Sequence, residues 1–201
     1  MSGFTTVDLL RHGEPQGGQK FRGALDDPLS PLGWEQLRTT VSAYQHWDVI
    51  VSSPLIRCAA FAQEVAERLD RPLDIIPGFR ELNFGEWEGR TAAEVYADNP
   101  LAVAQFWRDP VAHPIPGGEP VHEFDRRVGA AWNALLERYQ GRRVLLVAHG
   151  GTIRMVLRQV LELPLRNLWR FEVLYASISR VRIYPDSDAQ PQLVFFNGRL
   201  E

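Results

Sequence analysis

The sequence predicts a three-layer α/β/α sandwich with a mostly parallel central sheet and an added edge strand. Three observations carry this expectation. Short apolar runs alternate with longer stretches of helical spacing through most of the chain, the rhythm of repeated strand–helix units. Residues 144–148 are apolar throughout, as a central strand covered on both faces must be. No internal repeat, low-complexity tract or linker-like stretch divides the 201 residues, so one domain over 1–201 is expected.

The elements follow in order. Residues 7–10 read as the first strand. Ser30 and Pro31 supply an N-cap and a first-turn proline, and Trp34, Leu37, Val41 and Tyr44 continue at helical spacing. Residues 48–51 form a second strand ended by Ser52-Ser53-Pro54, with Ser53 expected as the N-cap of the next helix. That helix carries the stripe Leu55, Cys58, Ala59, Ala62, Val65, Ala66 and Leu69, and a third strand covers 73–76. The stretch 79–119 mixes aromatics, prolines and glycines and predicts one or two short helices near 91–107. A long helix over 120–139 sets Val121, Phe124, Val128, Trp132, Leu135 and Tyr139 on one face. Beyond the strand at 144–148, a further helix runs through Ile153, Val156, Leu157, Val160 and Leu161, and the tail over 171–196 holds two or three strand candidates.

Composition excludes several classes. With 45% hydrophobic and 23% charged residues, the chain reads as an ordinary soluble globular protein, long enough to bury a core without staples. Its 25 acidic and 22 basic residues give a net charge of −3, which leaves no broad basic field for nucleic acid or an anionic membrane. The single cysteine, Cys58, cannot close an internal disulfide and lies on an apolar helical stripe; it reads as a small core residue in a reducing, cytoplasmic setting. No basic segment followed by an apolar stretch opens the chain, so no signal peptide is expected. The longest apolar run is far too short to span a bilayer. Of the 22 basic residues only Lys20 is lysine, an excess that reads as genomic base composition.

Sites in open α/β sheets form beyond the carboxyl ends of the strands. Three polar clusters occupy that place: Arg11-His12-Gly13, then Ser53 with Arg57, then His149-Gly150-Gly151. If the strands are neighbours, two histidines and two arginines converge. Arg57 also falls in the first turn of its helix, where the macrodipole disfavours a cation, and an anion held with Arg11 would compensate it. Arginine forks match phosphoryl oxygens, and a neutral imidazole is a competent nucleophile towards phosphorus. Such a set lacks only an acid for the leaving alkoxide. Glu14, Glu81, Glu86 and Glu88 are the candidates near glycine-rich loops, and the residues alone do not rank Glu81 far above Glu86. His113 and His122 flank Glu119 without a ligand-pair spacing, and His46 beside Trp47 reads as structural at the end of the first helix.

These residues resemble the histidine phosphatase superfamily, the phosphoglycerate mutase-like fold. The resemblance rests on Arg11-His12-Gly13-Glu14, Ser52-Ser53-Pro54-Leu55 with Arg57, Glu81 before Phe84-Gly85-Glu86-Trp87-Glu88-Gly89, and Ala148-His149-Gly150-Gly151, in the family's order. Pro116-Gly117-Gly118-Glu119 is similar to the family's loop before its long helix, and the match covers about three-quarters of the chain. The resemblance implies that His12 is the nucleophile and becomes phosphohistidine. It implies that Arg11, Arg57 and His149, with Gly150, hold the phosphoryl oxygens, and that Glu81 is the general acid and then the base. It implies no metal and no cofactor.

Pro15 and Gly18 stand where many members carry threonine and asparagine, which leaves a polar contact near the phosphate in question. The loop 15–30 resembles α-ribazole phosphatase-like members, and Arg22 is either a substrate contact or an ordinary exposed loop arginine. The implied activity is metal-independent hydrolysis of a small phosphorylated metabolite, with α-ribazole 5′-phosphate, from assembly of the cobalamin lower ligand, as the leading substrate. A phosphoglycerate mutase and a non-catalytic phospho-ligand module are the alternatives. No nucleic-acid or membrane partner is expected; a homodimer is compatible with the sequence, which does not set the oligomeric state.

Overall fold

The computed structural model of the protein describes residues 3–185, 189–198 and 200. One six-stranded sheet organises them. Its strands are β1 (Thr5–Arg11), β2 (Val49–Ser52), β3 (Leu73–Ile75), β4 (Arg143–Ala148), β5 (Ile178–Ile183) and β6 (Gln192–Gly198), in the spatial order β3-β2-β4-β1-β5-β6. The first four in that order pair in parallel, whereas β5 pairs antiparallel to β1 and β6 antiparallel to β5. Two antiparallel strands therefore extend the parallel sheet at one edge.

The helices are α1 (Pro31–Val41), α2 (Ile56–Leu69), α3 (Ala92–Asp98), α4 (Pro100–Arg108), α5 (Val121–Arg138) and α6 (Gly150–Val160). Alternation along the strands assigns each to a layer. Val7 and Leu9 of β1 join Val49, Val51, Val144 and Leu146 in a core closed by Phe124, Val128 and Trp132 of α5 and Ile153 and Val156 of α6. Leu10, Ile50, Leu145 and Val147 face the other way, onto Leu37 and Val41 of α1 and Phe61 and Val65 of α2. None of the described helices is long and apolar enough to cross a membrane.

Local chemistry sets the boundaries. Ser30 caps α1 by accepting the Gly33 amide at 3.0 Å, with Pro31 in the first turn. This helix ends at Val41, so Tyr44 and His46 lie in the following loop rather than on its last turn; Tyr44 is buried all the same, against Trp47. The N-cap of α2 is Leu55, two residues later than the expected Ser53, and Asp26 from another loop takes the amide of its first residue, Ile56, at 2.7 Å. Ser53 Oγ accepts the Leu55 amide at 3.3 Å and also serves the site described below.

Asp8 is the buried charge of the sheet. It accepts the Trp47 indole N–H at 2.8 Å and two Arg180 donors at 2.7 and 2.9 Å, joining β1, β5 and the loop before β2. A carboxylate without its partners in such a place is costly. Arg180→Met should therefore lower the unfolding free energy by about 3 kcal/mol in urea titrations; a loss below about 1 kcal/mol would show that the indole alone suffices.

Candidate active site

Register builds the site. In the parallel pairing of β1 with β4, Arg11 stands opposite Ala148, and Ser52 of β2 stands opposite Val147. The next residues, His12, His149 and Ser53, therefore leave the sheet side by side. The chain after β1 turns to the face of α1, and the chain after β4 to the face of α6, so the strand ends open a crevice between them. Gly13 permits this, since a Cβ there would sit 2.1 Å from the Gly33 carbonyl oxygen of α1. The two imidazole rings meet edge to face with centroids 5.2 Å apart.

His12 is buried, and its Nδ1–H donates to the Gly13 carbonyl at 2.7 Å. A carbonyl can only accept, so the proton is fixed on Nδ1 and the Nε2 lone pair is left free. Burial, then the Arg11 and Arg57 charges, holds His12 well below the usual imidazole range. It is a neutral base at physiological pH.

His149 is fully buried and likewise held well below that range, by burial and then by Arg57. Its Nδ1 accepts the Arg57 Nε–H at 3.2 Å, so Nε2 carries the proton and donates to Ser53 Oγ at 2.7 Å. The Cys58 thiol lies 3.6 Å from the same ring, a core residue pushed up in pKa by burial. The structure places His149 at the site with both nitrogens committed within the protein.

Arg57 is also fully buried. Its Nη1 donates to the Leu25 carbonyl at 2.8 Å, and its Nη2 to the carbonyls of Gly23 at 3.1 Å and Arg22 at 3.2 Å. Those oxygens compensate the cation that the sequence places awkwardly in a first helical turn. Glu88 grips the same loop from the other side, accepting the amides of Gly23, Ala24, Leu25 and Phe84 at 2.9–3.1 Å. Glu88 thus serves the loop, and Glu86 is exposed.

Glu81 occupies a different place. Its Oε1 accepts the amides of Leu82 and Thr152 at 2.9 and 3.1 Å, and its Oε2 accepts Gly151 N–H at 2.9 Å. The carboxyl sits at the N-terminus of α6, with one lone-pair position on Oε2 uncommitted.

A cavity of about 220 Å³ opens between these elements, and Arg11, His12, Arg22, Glu81 and Gly150 are among the residues lining it. The geometry therefore separates Glu81 from Glu86, as the family resemblance did and the residues alone did not. Arg57 and His149 lie behind the cavity wall. Arg22 is 7% exposed and donates to Asp27 and to the carbonyls of Gln16 and Gly18, so it is no ordinary exposed loop residue.

The cavity also holds residues that sequence reasoning missed, namely Lys20, Arg154, Tyr175 and the indoles of Trp107 and Trp169. Arg154 had a usable signal. It follows Gly150 by four residues, one helical turn, and so shares its face. Tyr175 had none, because it enters from the irregular segment before β5, where its ring lies 3.8 Å from the Arg11 Cζ. His113 and His122 are exposed, and no group of three or more metal-ligating side chains occurs among the described residues.

The family model for the histidine phosphatase superfamily, branch 1, matches residues 7–197. The chain belongs to that superfamily. A protein of Hydrogenobacter thermophilus provisionally named a phosphoserine phosphatase is 29% identical over 193 residues, covering 94% of this chain and 93% of that protein. The glucosyl-3-phosphoglycerate phosphatase of Mycolicibacterium vanbaalenii is 35% identical over 170 residues, covering 79% and 75%. The crystal structure of the α-ribazole phosphatase from Shigella flexneri superposes with a TM-score of 0.81 at 26% identity, over 96% of each chain. This histidine phosphatase shares its mixed sheet with that structure, and its named relatives mark it as a phosphatase.

Two consequences of the site can be measured. A Cβ on Gly151 would fall 2.4 Å from Glu81 Oε1, the movable end of a side chain. Gly151→Ala should then keep the melting temperature within a few degrees while displacing the carboxyl, lowering turnover roughly 100-fold; unchanged turnover would mean that the position of Glu81 does not matter.

The second concerns pH. His12 and His149 bind protons near pH 6.5 in the unfolded chain but not in the folded one, so protonation favours unfolding. Their contribution is present above about pH 6.5 and is lost as pH falls below it, by about 1.4 kcal/mol per pH unit for each histidine. Urea titrations from about pH 7.5 to 5.5 should show this slope, and His12→Asn should reduce it by about half.

Proposed function

We propose that this phosphatase hydrolyses a small phosphomonoester in two steps through a phosphohistidine at His12. The observation that carries the reading is the fixed tautomer. With its proton bonded to the Gly13 carbonyl and its ring neutral, His12 presents the Nε2 lone pair in a cation-lined cavity beside a carboxyl.

In the first step Nε2 bonds to phosphorus and the ester P–O bond breaks. The protonated Glu81 carboxyl gives its proton to the departing alkoxide, leaving a carboxylate and an alcohol. In the second step that carboxylate takes a proton from water, whose oxygen bonds to phosphorus as the N–P bond breaks. Inorganic phosphate leaves, and His12 and the Glu81 carboxyl return to their starting states. Arg11, with the Gly150 end of α6, neutralises the equatorial oxygens, where phosphoryl transfer needs charge stabilisation. Arg22 lines the same cavity, while Arg57 and His149 position the loop and the ring behind it.

α-Ribazole 5′-phosphate is the leading specific substrate. The likeness to the Shigella enzyme supports it, as does an open trough of about 840 Å³ adjoining the cavity and walled by Phe21, Trp107 and Tyr175, surfaces suited to a flat aromatic base. Phosphoserine and glucosyl-3-phosphoglycerate enter the comparison through the relatives' names. A turnover panel across the three ranks them.

Acid-quenched enzyme exposed to a labelled phosphomonoester should carry acid-labile, alkali-stable label, and His12→Ala should carry none and turn over nothing. Full activity in that variant would end the mechanism. Glu81→Gln should slow esters of poor leaving groups by about 100-fold or more and activated aryl phosphates far less; equal losses would remove Glu81 as the leaving-group acid. Neither step uses a metal ion, so turnover should survive EDTA, and complete loss would contradict the scheme.

A further inference from the structure

Arg154 is a half-buried cation whose charge is offset only at a distance, by Glu81 and Glu172. Its Nε donates to the Phe171 carbonyl at 2.8 Å and its Cζ lies 5.2 Å from the centre of the Trp169 ring, so the guanidinium is held by one edge and one face. No hydrogen bond from its two terminal amino groups and no ion pair to it occur among the described residues. Both amino groups are therefore uncommitted.

Arg11 is in the same condition. Its Nη1 is anchored on the Val173 carbonyl, yet its Nε is buried with no partner, and it too makes no ion pair among the described residues. The two guanidiniums meet at one place. A Cβ built on Gly150 would lie 3.1 Å from Arg154 Nη1 and 3.4 Å from Arg11 Nε. Two cations are thus drawn together at a wall of the cavity that also holds His12 and Glu81, with Glu81 and Glu172 acting on both from beyond ion-pair distance. Burial pulls Arg154 down to about 10, so it remains a cation at neutral pH. Like charges at that spacing repel, and an anion with several oxygens relieves the repulsion while filling the idle donors.

We infer that Arg154 is a catalytic residue that shares with Arg11 the grip on the transferring phosphoryl group. This deepens the proposed hydrolysis and rests on it. The fully buried Arg57 spends its donors on the loop carbonyls and His149, with at most one Nη1 N–H left over. Arg154 adds a guanidinium with both amino groups idle to the grip on the equatorial oxygens, from a helix position outside the motifs that identify the family here. It is a fixed charge set beside Arg11 at the Gly150 end of α6.

The test separates binding of the phosphoryl group from recognition of the rest of the substrate. Inorganic phosphate and vanadate carry no leaving group, so their affinities, measured by calorimetry and by competitive inhibition, report the grip alone. Arg154→Met should weaken both by about 10- to 100-fold and lower kcat/KM by a similar factor for every ester tried, carboxylated or neutral. Arg154→Lys should recover part of the loss. The melting temperature of each variant shows whether it is folded, and the same phosphate titration in His12→Asn keeps the readout when turnover is abolished.

Unchanged phosphate affinity in folded Arg154→Met overturns the inference. So does a loss confined to carboxylated esters, which would make Arg154 a reader of the leaving group. Failure of the phosphohistidine mechanism would appear elsewhere, as an active His12→Ala enzyme.

Discussion

The pairing of Arg11 with Ala148 is the constraint from which the site follows. A one-residue slip between β1 and β4 would turn every side chain of one strand to the opposite face. The two cores prevent it, since Val7 and Leu9 bury on one side and Leu10 on the other, matched by Leu146 and by Leu145 and Val147. Hydrophobic alternation along a parallel pair thus fixes where two imidazoles stand, each two residues beyond a buried Leu10 or Val147. Stability and placement have the same origin here.

What surrounds those imidazoles decides their chemistry. Neither has a carboxylate partner that would favour the imidazolium; both have arginines nearby and little water. Their hydrogen bonds differ in kind. His12 has a backbone acceptor, which fixes a proton on one nitrogen and leaves the other free, whereas His149 is tied by an arginine and a serine on opposite edges. The same residue type in one electrostatic setting is thereby split into a reactive ring and a supporting one.

Much of this was legible in the sequence. The parallel core strands, the long helix α5 and the order of the chemical motifs follow from periodicity and turn residues, which are local. What was not legible depends on groups remote in the chain. Ser53 reads as a cap because nothing local announces that Asp26 will take the amide of Ile56. The loop contacts of Arg57 are hidden because carbonyl oxygens, present in every residue, leave no trace in a sequence even when three of them surround a guanidinium. Glu81 and Glu86 were separated by the family resemblance and not by local chemistry, because the irregular chain between them brings one to the start of α6 and leaves the other in solvent.

The loop at 22–25 has no regular secondary structure, yet it is clamped as firmly as a strand. Arg57 takes its carbonyls from one side and Glu88 its amides from the other, so its donors and acceptors are satisfied by two side chains instead of by a neighbouring strand. Binding an ester against an unanchored loop would require that loop to be ordered on each encounter, at a cost in affinity and in alignment. Here the ordering is done once, when the chain folds, and Arg22 comes to the cavity already aimed. The wall of this phosphatase is a piece of folded structure made from two charges and a turn of bare backbone.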